Sequence, residues 1–218
     1  VDEYLTEREQ IEVIKQWWRE NRWFLLGGIA VAGLGYFGYY QYQAYRTARA
    51  EQAGDLYVRL QQTIEDDREG AEELLSQLRA EYADSAYTHQ ASLLMAKELL
   101  ITDTARAAQE LRQVVEESDD PGLAFIARLR LARVLAYQTN YAEALEVLDV
   151  EDPGQFAARM NEIKGDIHAA MGEIEAARAA YTQALTAPGS ESVDRNFVQM
   201  KLNQLLEAPS TPETAEGA

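Results

Sequence analysis

Two stretches, LARVLAYQTNYAEALEVL (residues 131–148) and KGDIHAAMGEIEAARAAYTQA (residues 164–184), decide the fold. Small residues recur in them at one interval: Ala132 and Gly165 stand 33 positions apart, as do Ala144 and Ala177. Around these, Leu131, Leu135, Tyr141 and Leu148 fill the first stretch, and His168, Ile174, Tyr181 and Ala184 the second. Each reads as helix, turn, helix. Gly172 falls at the turn of its unit and Pro188 follows the second helix. A period of this length marks an array of helix pairs, in which no pair buries its apolar face alone and stacking completes the core.

The spacing resembles the tetratricopeptide repeat, where small residues sit at the crossing of the two helices in a pair. Thr139 stands where the turn glycine is expected, and Lys164 occupies an apolar position. Two further units are expected upstream. One holds Ala96 and Leu99, then Ala107, Leu111 and Val114. The other holds Gly54 and Tyr57, then Ala71, Leu75 and Leu78, with a loop over Glu65-Asp66-Asp67-Arg68-Glu69. An amphipathic helix over about 193–206, carrying Phe197, Met200, Leu202 and Leu205, is placed to cap the array. Asp152-Pro153 reads as an N-cap followed by proline at the first helical position. Residues 208–218, rich in Pro, Thr, Glu and Ala, are expected to be disordered. The fold class is all-α: an N-terminal transmembrane helix, then a tetratricopeptide-like helical-repeat solenoid with a C-terminal capping helix.

The transmembrane expectation rests on residues 23–45, which hold no charged side chain and are bounded by Arg22 and Arg46. A bilayer core takes about 20 predominantly apolar residues as a helix, and hydrocarbon leaves a bare backbone no other way to satisfy its polar groups. Trp17, Trp18 and Trp23 lie at one end, with Tyr39, Tyr40, Tyr42 and Tyr45 at the other, where amphipathic rings suit the interface. Ala48-Arg49-Ala50 resembles a signal-peptidase site, but the apolar stretch is too long and its upstream segment too charged for a signal peptide. The organisation expected is an N-terminal segment 1–22, a span 23–45, a soluble domain 46–207 and a tail 208–218. Gly28, Ala32 and Gly35 share one helix face. Either they admit a second helix closely, or they reflect the ordinary frequency of glycine in membrane spans. Arg8, Lys15, Arg19 and Arg22 before the span, against Arg46, Arg49 and Arg59 after it, lean weakly toward a cytoplasmic N-terminus.

The net charge is −17, and residues 46–218 carry 16 basic against 31 acidic groups, −15. Phosphate backbones need a basic stripe, so nucleic acid is excluded as a partner. Without cysteine there is no disulfide or thiolate chemistry. His89 and His168 fall in different units, too few for a metal site, and His168 occupies a helix-packing position. The run Glu116-Glu117-Ser118-Asp119-Asp120 before Pro121-Gly122 lacks calcium-loop spacing and reads as a solvated helix end and turn. With no phosphate loop, nucleophile elbow or zinc motif, the expectation is a protein-binding domain, neither enzyme nor cofactor carrier, with no small-molecule substrate.

In a tetratricopeptide array the first helix of each pair lines the concave face. The inward positions are then Gln90, Leu93, Lys97 and Leu100; Ile126, Leu129, Arg133 and Ala136; and Arg159, Glu162, Asp166 and Ala169. The set does not match the Lys, Arg and Asn pattern that clamps a terminal carboxylate. Leu93, Leu100, Ile126 and Leu129 suit an extended or unfolded apolar segment, and another part of this chain filling the groove stays open as an alternative.

The opening Gln10-Ile-Glu-Val-Ile-Lys-Gln-Trp-Trp-Arg-Glu-Asn21, the glycine-rich span and the late Val198-Gln-Met-Lys-Leu-Asn203 together resemble the YfgM family, ancillary subunits of the bacterial Sec translocon. The likeness runs from about residue 2 to 207. It implies a cytoplasmic N-terminus, one bacterial inner-membrane helix and a periplasmic domain. It further implies association with SecYEG and the anchored chaperone PpiD, and a part in passing unfolded secreted polypeptides to periplasmic chaperones. Two rivals differ in class: an envelope scaffold, and a regulator holding a stress-signalling protein through residues 1–22.

Overall fold

A computed structural model describes residues 7–207, with the surroundings of side chains 11–205; the expected disordered tail lies outside the described residues. Within them the chain is all-helical. The helices are α1 (Glu7–Thr63), α2 (Arg68–Glu81), α3 (Ala86–Leu99), α4 (Thr104–Glu117), α5 (Pro121–Tyr137), α6 (Tyr141–Val147), α7 (Ala157–Ala170), α8 (Ile174–Thr186) and α9 (Arg195–Glu207). Short 3-10 turns, Gly154–Phe156 and Ser190–Ser192, precede α7 and α9. Contacts divide the chain into two compact units, with the division between Gln52 and Ala53, inside α1.

In the first unit α1 is a helix long and apolar enough to cross a membrane, and none of its apolar window is buried within the protein. Trp23, Phe24, Ile29, Val31, Leu34 and Phe37 are all exposed. A core helix of a soluble protein can match it in length and composition but is mostly buried, and this one is not. The bounding arginines lie over the terminal aromatics, Arg22 at 5.7 Å from the Trp23 ring and Arg46 at 5.9 Å from the Tyr42 ring.

The second unit pairs the end of α1 with α2, α3 with α4, α5 with α6 and α7 with α8, leaving α9 as the cap. Its apolar side chains fall into three clusters along the array. Leu56, Leu60, Leu75, Leu78, Met95 and Leu99 form the first. Leu111, Leu131, Leu135, Leu148, Ile163 and Ile167 belong to the second. Ala177, Tyr181, Val193 and Val198 are in the third. The small residues stand at the crossings: Ala132, Ala144 and Ala177 are fully buried, and a Cβ at Gly165 would lie 2.5 Å from ring atoms of Tyr181.

Side chains set the helix starts. Asp67 accepts from the Gly70 amide at 3.0 Å, Asp103 from Arg106 at 3.0 Å, and Asp194 from Asn196 at 3.0 Å and Phe197 at 3.1 Å. Such caps satisfy orphan amides and are worth about 1 kcal/mol each. Two boundaries differ from the sequence reading, at Arg68 and at Asp152. Arg68 and Glu69 belong to α2, because the Asp67 cap starts the helix inside the expected loop. Pro121-Gly122 is the first turn of α5: Asp120 Oδ1 accepts from Gly122 at 2.8 Å and Leu123 at 3.2 Å, with proline where its missing amide costs nothing. Asp152 does accept from Gly154 at 3.1 Å, but the bond opens the 3-10 turn, and α7 begins only at Ala157.

Candidate functional site

Between α3, the start of α4 and α5 lies a cleft of about 500 Å³. Leu93, Ala96, Leu111 and Val134 are buried and form its apolar floor. Leu100 and Tyr137 stand exposed at the rim, Tyr137 at 80%. Three cations surround this floor: Lys97 on α3, and Arg130 and Arg133 on α5. Lys97 pairs with its neighbour Glu98 at 3.3 Å across a largely exposed surface, a contact worth little. Arg130 and Arg133 are exposed, and among the described residues neither makes an ion pair or hydrogen bond. Just outside the cleft Ile101 is 95% exposed.

Of the expected groove positions the structure thus brings together Leu93, Lys97, Leu100 and Arg133. Leu129 is taken up by the central core, and Ile126, half exposed, is not among the cleft-lining residues. The expectation missed Arg130 and Tyr137. A signal for them existed: Ile126, Arg130, Arg133 and Tyr137 follow one another by four, three and four, the spacing of a single helix face.

Arg159, Glu162 and Asp166 stand apart, engaged by the cap. Lys201 on α9 donates to Glu162 Oε1 at 3.3 Å and to Asp166 Oδ1 and Oδ2 at 2.7 and 3.0 Å. Its ammonium also lies 4.5 Å from the Phe197 ring. Arg159 donates to Glu162 Oε2 at 2.8 Å and to the Ser192 carbonyl. Tyr181 donates to Asp166 Oδ1 at 2.7 Å; burial first, then the Asp166 bond, raises its phenol pKa above the ordinary value. Here another part of the same chain occupies the inward face. In α1, a Cβ built at Gly28 or Gly35 would meet no other atom within 4 Å, and Ala32 is exposed.

Among the described residues no group of three or more His, Asp or Glu could hold a metal ion. His168 Nδ1 lies 2.6 Å from Glu173 Oε2. His89 is buried, and desolvation lowers its pKa below the ordinary histidine value, so near neutrality the ring is uncharged.

A stacked array of helix pairs, small residues at the crossings and a long apolar N-terminal helix define a tetratricopeptide-like repeat protein with a candidate membrane helix. The chain belongs to the tetratricopeptide repeat-like domain family, whose model matches residues 15–207. It is 29% identical over 205 residues to a Neisseria gonorrhoeae protein named ancillary SecYEG translocon subunit, covering 93% of this chain and 98% of the relative. Proteins of the same name from Haemophilus influenzae, 28% identical over 202 residues, and Escherichia coli, 24% over 203 residues, match 92% and 93% of this chain and 98% of their own length. The resemblance expected from the N-terminal block and the late Gln199-Met200-Lys201 segment is therefore found across nearly the whole chain. No solved structure matches it significantly.

Proposed function

We propose that this chain is an ancillary subunit of a SecYEG translocon, anchored in the bacterial inner membrane by α1, with its repeat domain on the periplasmic side. There the domain holds segments of emerging unfolded polypeptide and helps pass them to periplasmic chaperones, alongside the anchored chaperone PpiD. Gly28, Ala32 and Gly35 offer a close-packing face to a neighbouring membrane helix.

The observation that carries this reading is the shared name of relatives that align over 92–93% of the chain and 98% of their own length. Two features support it independently. The apolar window of α1 is wholly unburied, and the cleft presents an apolar floor with an exposed rim, suited to side chains that a folded client would hide. The chemistry required is binding alone, without a turnover step.

Photocrosslinking in membranes tests it. A benzophenone side chain replacing Ile29 should capture SecY, and one replacing Leu100 should capture a stalled secreted chain. Failure of both positions would remove the translocon assignment. An alkaline phosphatase fused after Ala218 should be active; an inactive fusion, with a cytoplasmic reporter active in its place, would reverse the orientation.

A further inference from the structure

The cleft's electrostatics run against those of its own domain. Residues 46–218 carry −15, yet the charged side chains lining the cleft are Lys97, Arg130 and Arg133, with no carboxylate among the lining residues. Arg130 and Arg133 lie one helical turn apart on α5 and have no partner among the described residues, in a protein where carboxylates outnumber cations nearly two to one. Five other arginines of the domain are engaged with carboxylates: Arg79 with Glu110, Arg106 with Glu72, Arg112 with Glu143, Arg159 with Glu162 and Arg178 with Glu175.

We propose that this cleft selects polypeptide segments in which an apolar side chain is flanked by acidic ones. The apolar side chain seats on Leu93 and Val134, and the carboxylates pair with Arg130 and Arg133 at the rim. This rests on the polypeptide-binding reading above and adds its selectivity. A guanidinium offers a planar fork that matches a carboxylate in two hydrogen bonds. Neighbouring positions one turn apart on a helix are about 5–6 Å apart between Cβ atoms. Alternate residues of an extended segment, rising about 3.3 Å each, span a comparable distance, so one segment reaches both arginines. The domain's overall negative field disfavours approach of acidic chains at long range, but it is screened beyond about 8 Å at physiological salt. Discrimination therefore arises at contact, from the two arginines.

Fluorescence anisotropy on the full chain in dodecyl maltoside micelles tests the proposal. The probes are labelled peptides, acetylated and amidated so that no chain terminus contributes, with a single leucine flanked on each side by glutamate or by glutamine. The glutamate peptide should bind about tenfold more tightly, the worth of two rim ion pairs together. Arg130→Gln with Arg133→Gln should abolish the difference and leave the thermal midpoint unchanged, since both side chains are exposed and unpaired. Lys164→Gln with Arg178→Gln, which removes the same charge elsewhere, should preserve it. Equal affinity for the two peptides, or a preference that survives the cleft double variant, overturns the proposal. So does a dimer in sedimentation that dissociates on Arg130→Gln/Arg133→Gln, or binding that begins only once residues 208–218, with Glu213 and Glu216, are removed. Loss of translocon crosslinks with the peptide preference intact would sink the functional reading while leaving the selectivity standing.

Discussion

Thr139 and Gly172 occupy the same turn of consecutive helix pairs, and both hold a left-handed backbone, with φ of 63° and 78°. The hydrogen bonds around them coincide. Asn140 donates to the Leu135 carbonyl at 2.9 Å and Thr139 to Ala136 at 3.0 Å; Glu173 donates to His168 at 2.9 Å and Gly172 to Ala169 at 3.1 Å. This is the pattern that closes a helix C-terminus through one left-handed residue. The fold demands that conformation at both sites, and only one has the residue that adopts it freely.

Thr139→Gly should therefore stabilise the protein. A β-branched residue there costs about 1–2 kcal/mol, and glycine returns about 0.5–1 kcal/mol of that through its greater freedom when unfolded. A net gain of about 0.5–1 kcal/mol is expected in urea denaturation of the full chain in detergent. Gly172→Ala should cost about 1–2 kcal/mol. A destabilising Thr139→Gly would mean that the threonine contributes a contact outweighing its backbone.

The helix crossing at Gly165 makes a second case. An added Cβ would stand 2.5 Å from Tyr181 Cδ1 and Cε1. That ring is 3% exposed and tied by its hydroxyl to Asp166, so it has nowhere to retreat. Gly165→Ala should destabilise by about 1–3 kcal/mol through overpacking. Tyr181→Leu, harmful by itself, should recover part of that loss in the double variant, a coupling read by the mutant cycle. Purely additive effects would show that the two helices separate rather than clash.

Ala132 and Gly165 announced their crossings because small residues at a fixed period have few other reasons to recur. Buried Ala71, Leu75 and Leu78 likewise sit where the pattern put α2. At Pro121-Gly122 the Asp120 cap places a proline, which favours both turns and helix starts, in the first turn of α5. The inward face was half legible. Periodicity located Leu93, Lys97, Leu100 and Arg133, but which inward positions stay open depends on what packs across them. Lys201 reaches Glu162 and Asp166 across 39 and 35 residues of sequence, and no local pattern carries that information.

The second helices of the early pairs are joined by a repeated ion pair. Arg79 meets Glu110, and Arg112 meets Glu143, the same contact moved along by one repeat. Their environments differ. The Glu110 side chain is 10% exposed and Arg79 also donates to Ser92 Oγ at 2.9 Å, while Arg112 and Glu143 are 38% and 43% exposed. Arg79→Met strands a buried carboxylate and should cost about 2–3 kcal/mol. Arg112→Met should cost less than about 1 kcal/mol, screened by solvent. Equal losses in thermal or urea unfolding would contradict this ranking.

Lys201 joins the cap to the last helix pair, and its removal should unfasten one end of the array. Its side chain is 17% exposed and Glu162 only 6%, so Lys201→Met leaves Glu162 with Arg159 alone and Asp166 with the Tyr181 hydroxyl. The loss should be about 2–3 kcal/mol. In a repeat array each pair contacts only its neighbours, and opening occurs in local units. Amide exchange should therefore accelerate in α9 and the Ser190–Ser192 turn while α2, α3 and α4 keep their protection. Faster exchange spread evenly over all the helices would mean that the cap and the first pairs unfold together, and that the array behaves as one cooperative block.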